Sequence, residues 1–189
     1  MIRIRLAEDR DAEAIAAIYA PHVTRGVASF EETAPDADEI RARMAKIAGQ
    51  YPWLVAEEGE AVLGYAYACQ FRERSAYRWA VETTVYVADG AQRRGVGQLL
   101  YRALIDALRA QGFTQAIAAI SLPNDASVKL HELVGFKRAG VYREIGWKQS
   151  RWVDVGLWQL QLADPPHPPP EPRPFREAGQ RSSSPWRGG

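Results

Sequence analysis

The chain has 189 residues, 47% of them apolar and 25% charged, a balance that fits one folded domain with a real core and excludes a disordered chain. Lys and Arg number 24 against 23 Asp and Glu, so a net charge of +1 provides no overall field for nucleic acid or an anionic membrane, and any anion site has to be local. Cys69 stands alone, which excludes an internal disulfide and a multi-cysteine zinc site; with no signal-like or membrane-length apolar run, a cytoplasmic setting and no metal are expected.

Ile2, Ile4 and Leu6 alternate with Arg3 and Arg5, the period of a half-buried first strand. Glu8, Asp9 and Asp11 open a helix carrying Ala14, Ile15, Ile18 and Tyr19, which Pro21 is expected to close. A connection over 31–35 leads to a second helix through Ile40, Met44 and Ile47 to Gly49. Residues 53–56 and 61–71 read as a hairpin, and 78–87 as a further strand ending in β-branched and aromatic Thr83, Thr84, Val85, Tyr86 and Val87. From Gly95 the period changes to 3.6, with Leu99, Leu100, Ala103, Leu104, Ala107 and Leu108 expected on one face and Gly112 as the stop. A strand over 115–122, a helix capped by Asn124 and carrying Val128, Leu130, His131 and Leu133, and strands over 137–147 and 151–162 complete a βααβββαβαββ order.

From Pro165 the composition shifts: eight of the twelve prolines fall in the last 25 residues, beside Ser182 to Ser184 and a closing Gly188-Gly189. Residues 1–163 are therefore expected to form the domain, and 164–189 a mobile extension that packs little core.

The most informative segment is Gln92-Arg93-Arg94-Gly95-Val96-Gly97, set between a strand and a helix. Its glycines permit tight backbone geometry and close ligand approach, and the helix it opens presents free N–H groups and a favourable dipole, so a pyrophosphate fits there. A glycine turn flanked by surface arginines is the plainer reading. The third glycine of a dinucleotide fingerprint and the Gly-Lys-Ser/Thr of a P-loop are both missing.

The segment resembles the Gln/Arg-x-x-Gly-x-Gly/Ala signature of the GNAT acyltransferases. With residues 81–87, 122–128 and 131–136, Phe30-Glu31 and 152–156, the chain is similar from about Ile2 to Leu162 to the phosphinothricin and methionine sulfoximine acetyltransferases. That resemblance implies an α/β fold with a mixed, twisted sheet of about seven strands, splayed at an acetyl-CoA cleft and flanked by about four helices. It also implies transfer of acetyl to the α-amino group of a small amino-acid-like acceptor, and a homodimer. Val85, Tyr86 and Val87 would offer main-chain groups to the pantetheine arm, Arg93, Arg94, Gly95, Val96, Gly97 and Gln98 would hold the phosphates, and Asn124 would contact the same co-substrate.

For the chemistry, the resemblance points to Glu82 as the group that takes the ammonium proton, directly or through a water, where composition alone suggests a solvated strand-end carboxylate. His131 stands where many relatives carry a tyrosine, and acid, base and substrate contact all stay open beside a structural role. Arg72, Arg74 and Tyr77, before Glu82, are candidates to fix an acceptor carboxylate or phosphinate, with Phe30 and Glu31 covering it from the other side; a solvated basic loop is the competing reading. Cys69 reads as a small buried apolar group, and Trp147, Trp152 and Trp158 as core or dimer-contact aromatics. Other acceptors (a protein N-terminus, an aminoglycoside, a polyamine) and a non-catalytic acyl-CoA-binding module are the alternatives.

Overall fold

A computed structural model describes residues 1–178. The elements follow the expected order: β1 Arg3–Leu6, α1 Ala12–Thr24, α2 Ala37–Ile47, β2 Trp53–Glu58, β3 Ala61–Gln70, β4 Ala80–Val87, α3 Val96–Gln111, β5 Gln115–Leu122, α4 Asp125–Leu133, β6 Lys137–Lys148, β7 Arg151–Gln161 and a short α5 Phe175–Ala178. They form a seven-stranded sheet ordered β1-β2-β3-β4-β5-β7-β6, in which only β4 and β5 run parallel.

Both faces of the sheet are covered, because alternate strand residues point to opposite sides. Leu54, Ala66 and Val81 pack with Leu100, Leu104 and Leu108 of α3, whereas Trp53, Val55 and Tyr65 pack with Ile15, Ile18 and Tyr19 of α1 and Ile40 of α2. This two-sided burial makes residues 53–56 a continuous apolar run.

Three local expectations need correction. Pro21 does not close α1, which runs on to Thr24; the Arg25 N–H still donates to the Pro21 carbonyl at 2.9 Å, and buried Val23 holds the last turn against the core. On α3 the buried face is Val96, Gly97, Leu100, Tyr101, Leu104 and Leu108, while Leu99 is exposed. Leu100, Leu104, Ala107 and Leu108 are buried as expected, whereas Leu99 gives way to Val96, Gly97 and a tyrosine.

The third concerns the segment after Pro165. Trp79 Nε1 donates to the Pro170 carbonyl at 2.7 Å, and Arg78 pairs with Glu171 at 2.7 Å. The buried Gln111 amide donates to the carbonyls of Gln50 and Arg173 at 2.8 and 2.9 Å, and Ala178 is itself buried. The extension thus lies along the domain because its proline-interrupted backbone keeps carbonyls free to satisfy donors at the C-terminus of α3. Ser182 to Ser184 and the closing glycines lie outside the described residues.

Candidate active site

The sheet opens at its parallel pair. β4 and β5 are in register only at Ala80↔Gln115, Val81↔Ala116 and Glu82↔Ile117; from Thr83 onward β4 keeps its β3 partner, and its other edge has no strand beside it. Val85 and Val87 turn their side chains into the α3-side core and Tyr86 into the α1 side. Packing is thereby satisfied out of the sheet plane while main-chain groups remain in it, facing the gap.

A cleft of about 920 Å³ fills this gap. Glu82, Val85, Tyr86, Val87, Arg93, Gly95, Val96, Gly97, Gln98, Asn124 and His131 all line it, a convergence of three separate elements and a loop. Gly95 has φ +80 and caps α3, and the first main-chain bond of that helix is Leu99 N–H to the Gly95 carbonyl at 3.0 Å. The N–H groups of Val96, Gly97 and Gln98 therefore lack helical partners at the cleft wall, an arrangement suited to a phosphate. Gly97 answers a different demand, since a Cβ there would stand 2.8 Å from Leu130 Cδ2 on α4. Arg94 turns away from the cleft and pairs with Glu58 at 2.7 Å. The Asn124 side chain accepts from the Ser127 N–H at 3.1 Å, capping α4.

Glu82 is the last β4 residue paired with β5, half-buried at the point where the strands part. Burial raises its pKa above the ordinary carboxylate value, with Arg72 opposing part of the shift. Across the β3–β4 ladder it faces Cys69, whose thiol burial pushes up to about 11; that sulfur stays protonated and is a poor nucleophile.

His131 lies almost wholly buried in the α4 wall. Its Nδ1 is 2.7 Å from the Ser127 carbonyl, which can only accept, so Nδ1 carries the proton. Burial lowers the imidazole pKa and keeps the ring neutral; Nε2 is then an acceptor, and the Tyr101 hydroxyl donates to it at 2.6 Å. Tyr101 is fully buried on α3, with its oxygen 3.5 Å from Thr83 Oγ1. Sequence reasoning missed Tyr101, although its place one helical turn from Gly97 and Leu104, on the buried face, was the available signal.

The candidate acceptor residues lie apart. Phe30, Glu31, Arg72, Arg74 and Tyr77 are not among the cleft-lining side chains. Arg72 stacks over Phe71 at 5.1 Å and Tyr77 at 5.9 Å. The Glu31 carboxylate is taken by Arg43, bidentate at 2.8 and 2.9 Å, and by the Tyr19 hydroxyl at 2.8 Å; Arg43 holds its pKa below the usual range. His22 and Ala28, which no sequence motif marked, do line the cleft. Among the described residues no group of three or more His, Cys, Asp or Glu side chains is placed to hold a metal ion.

An open-edged strand, a glycine-initiated helix and a carboxylate at the point of divergence thus converge on one cleft. The chain belongs to the acetyltransferase (GNAT) domain family, whose model matches residues 4–157. It is 47% identical over 162 residues to a phosphinothricin N-acetyltransferase from Alcaligenes faecalis, covering 84% of this chain and 82% of that protein. An L-methionine sulfoximine/L-methionine sulfone acetyltransferase from Pseudomonas aeruginosa is 40% identical over 162 residues, 84% of this chain and 94% of that one. The crystal structure of a phosphinothricin acetyltransferase from Sinorhizobium meliloti in complex with AcCoA superposes with a TM-score of 0.82 at 38% identity, covering 86% of this chain and 89% of that one.

Proposed function

We propose that the protein transfers the acetyl group of acetyl-CoA to the α-amino group of a small amino-acid-like acceptor of the phosphinothricin or methionine sulfoximine type. The observation that carries this reading is Glu82, a half-buried carboxylate at the divergence of β4 and β5 on the wall of the cleft. The relatives that act on such acceptors support the substrate class.

The residues present fit the co-substrate: the unpaired edge of β4 over Val85 to Val87 suits the amides of pantetheine, and the free N–H groups of Val96 to Gln98 with Arg93 suit the pyrophosphate. Glu82 takes a proton from the acceptor ammonium, directly or through a water, and the amine nitrogen attacks the thioester carbonyl; the C–N bond forms, the nitrogen sheds its remaining extra proton, and C–S breaks with CoA leaving as a thiolate that is protonated by solvent. Burial raises the pKa of Glu82, which improves it as a base. Direct attack fits better than an acetyl-cysteine step, because the Cys69 thiol is held protonated.

Neutral His131 presents an acceptor, not a donor, toward Tyr101, which favours base or positioning over proton donation to the leaving thiolate. Asn124 at the cap of α4 borders the same channel. Arg72, Arg74 and Tyr77, before Glu82, and Phe30 and Glu31 stand outside the cleft lining and serve at most as an outer rim to the acceptor side. Tyr142, Ile145, Trp147 and Trp152, exposed together on β6 and β7, support a homodimer. Use of acetyl-CoA and a single reduced cysteine support a cytoplasmic setting.

The test is a panel of amines (phosphinothricin, methionine sulfoximine, a peptide N-terminus, an aminoglycoside, a polyamine) with detection of released thiol. Turnover of the first two above the rest is expected. Failure to acetylate any amino-acid analogue would overturn the reading.

A further inference from the structure

The halves of the sheet on either side of the cleft, β1–β4 and β5–β7–β6, share only three residue pairs. At the open end a second connection joins them. Lys148, the last residue of β6, directs Nζ at the carbonyls of Val23, Ser29 and Glu31, at 2.6, 2.7 and 2.8 Å. An ammonium has three donors, and all three fall on the end of α1 and the loop that follows it.

The strand is shaped for this contact. Gly146 lies two residues before Lys148, on the same face, and a Cβ there would collide with the ring of Phe30. Both residues lie beyond Leu122↔Asp154, the last β5–β7 pair, since Gly146 stands opposite Val153 and Lys148 opposite Arg151. The β6–β7 tip therefore overhangs the open end of the cleft.

The loop is anchored on its other side to the first half of the sheet. The Tyr19 hydroxyl meets Ser29 Oγ at 2.6 Å and Glu31 Oε1 at 2.8 Å, Arg43 clamps Glu31, and α1 packs on Val55 and Tyr65. Between these anchors Ala28 reaches the cleft wall, with His22 just before them.

We propose that Lys148 is a positioning residue for the acetyl acceptor: by tying the Val23 to Glu31 segment to β6 across the divide, its ammonium fixes where Ala28 and Phe30 stand on the acceptor side. The role goes beyond Glu82 and the co-substrate contacts, and it rests on reading the cleft as the site of amine acetylation. Holding a long, rotamer-rich side chain in one place costs conformational entropy, which three charge-assisted bonds to the end of α1 and its following loop offset.

Lys148→Met keeps the stem and removes the three bonds. The expected result is an acceptor KM raised about tenfold or more, with the KM for acetyl-CoA changed less than about twofold, the split a displaced acceptor wall produces. Amide hydrogen exchange over residues 24–31 should quicken by about tenfold or more while the β3 and α3 amides stay protected. Gly146→Ala, which displaces Phe30 and leaves the ammonium intact, should raise the acceptor KM in the same direction, and it carries the kinetic arm if Lys148→Met does not fold. Unchanged exchange over 24–31 in folded Lys148→Met would overturn the strap. Faster exchange with both KM values moving together would overturn the positioning role. If the wild-type protein acetylates no amino-acid analogue, the reading of the acceptor fails, and the exchange measurement still decides the strap.

Discussion

The Tyr101 hydroxyl donates to His131 Nε2 at 2.6 Å, joining α3 to α4 at the wall of the cleft. Both residues are buried, so removing the hydroxyl leaves an imidazole nitrogen without its partner. Tyr101→Phe should lower the unfolding free energy by about 1–3 kcal/mol in urea titration, as expected for an orphaned buried acceptor. If His131 acts as a base through this contact, kcat should fall as well, with the KM for acetyl-CoA held.

His131 also implies a pH dependence of stability. Burial depresses its folded pKa below the unfolded value of 6.5, so the unfolded chain binds the proton more readily. The contribution is present above that value and is lost as pH falls through the interval down to the folded pKa. His22, lowered mainly by burial, adds to the same slope. Urea midpoints measured downward from pH 7.5 should therefore decline below about 6.5, and His131→Asn should make the decline shallower without abolishing it.

Glu82→Gln removes the proposed base and keeps nearly the same volume. We expect kcat to fall about 10²–10⁴-fold, the usual contribution of a positioned general base, with acetyl-CoA affinity unchanged by calorimetry. In the wild-type enzyme the acidic limb of kcat/KM should fall above the ordinary carboxylate value of 4.5, because burial raises this pKa. A limb at or below 4.5 would point away from Glu82.

The two loop glycines should fail differently. Gly95 has open space around its Cβ position but a left-handed φ of +80, so Gly95→Val strains the turn and should chiefly abolish acetyl-CoA binding. Gly97→Ala meets Leu130 at 2.8 Å and should cost about 1–3 kcal/mol of stability by overpacking. Adding Leu130→Ala to Gly97→Ala should recover part of that loss; additive losses would refute the packing account.

Deleting residues 164–189 should strip the Gln111 amide of one acceptor and Trp79 of its carbonyl partner. A loss of about 1–3 kcal/mol is expected for these buried or half-buried donors, lowering Tm by several degrees in a chain of this size. The exposed Arg78–Glu171 pair should add little, so Glu171→Gln alone should leave Tm nearly unchanged.

Much of this was legible in the residues themselves. Alternation at Ile2 to Leu6, β-branched runs at 83–87 and helical spacing from Leu100 to Leu108 report backbone geometry directly, because side-chain period follows from the φ/ψ of each element. Gly95 and Gly97 likewise signalled a turn into a helix, since few other residues tolerate a left-handed cap or so close an approach. Pro21 misled because its penalty is local, whereas the packing of Val23 that outweighs it is not.

What the sequence by itself determined was the order of elements and the glycine turn that opens α3, both set by short-range pattern. Tertiary structure alone decided that Tyr101 bonds His131, that Arg43 occupies the Glu31 carboxylate, that Lys148 straps the 23–31 segment, and that residues 170–178 lie against α3. Each joins residues from 12 to 125 positions apart along the chain. Such contacts depend on how strands splay and helices dock, and that geometry is written in the packing of the whole core, which no local period records.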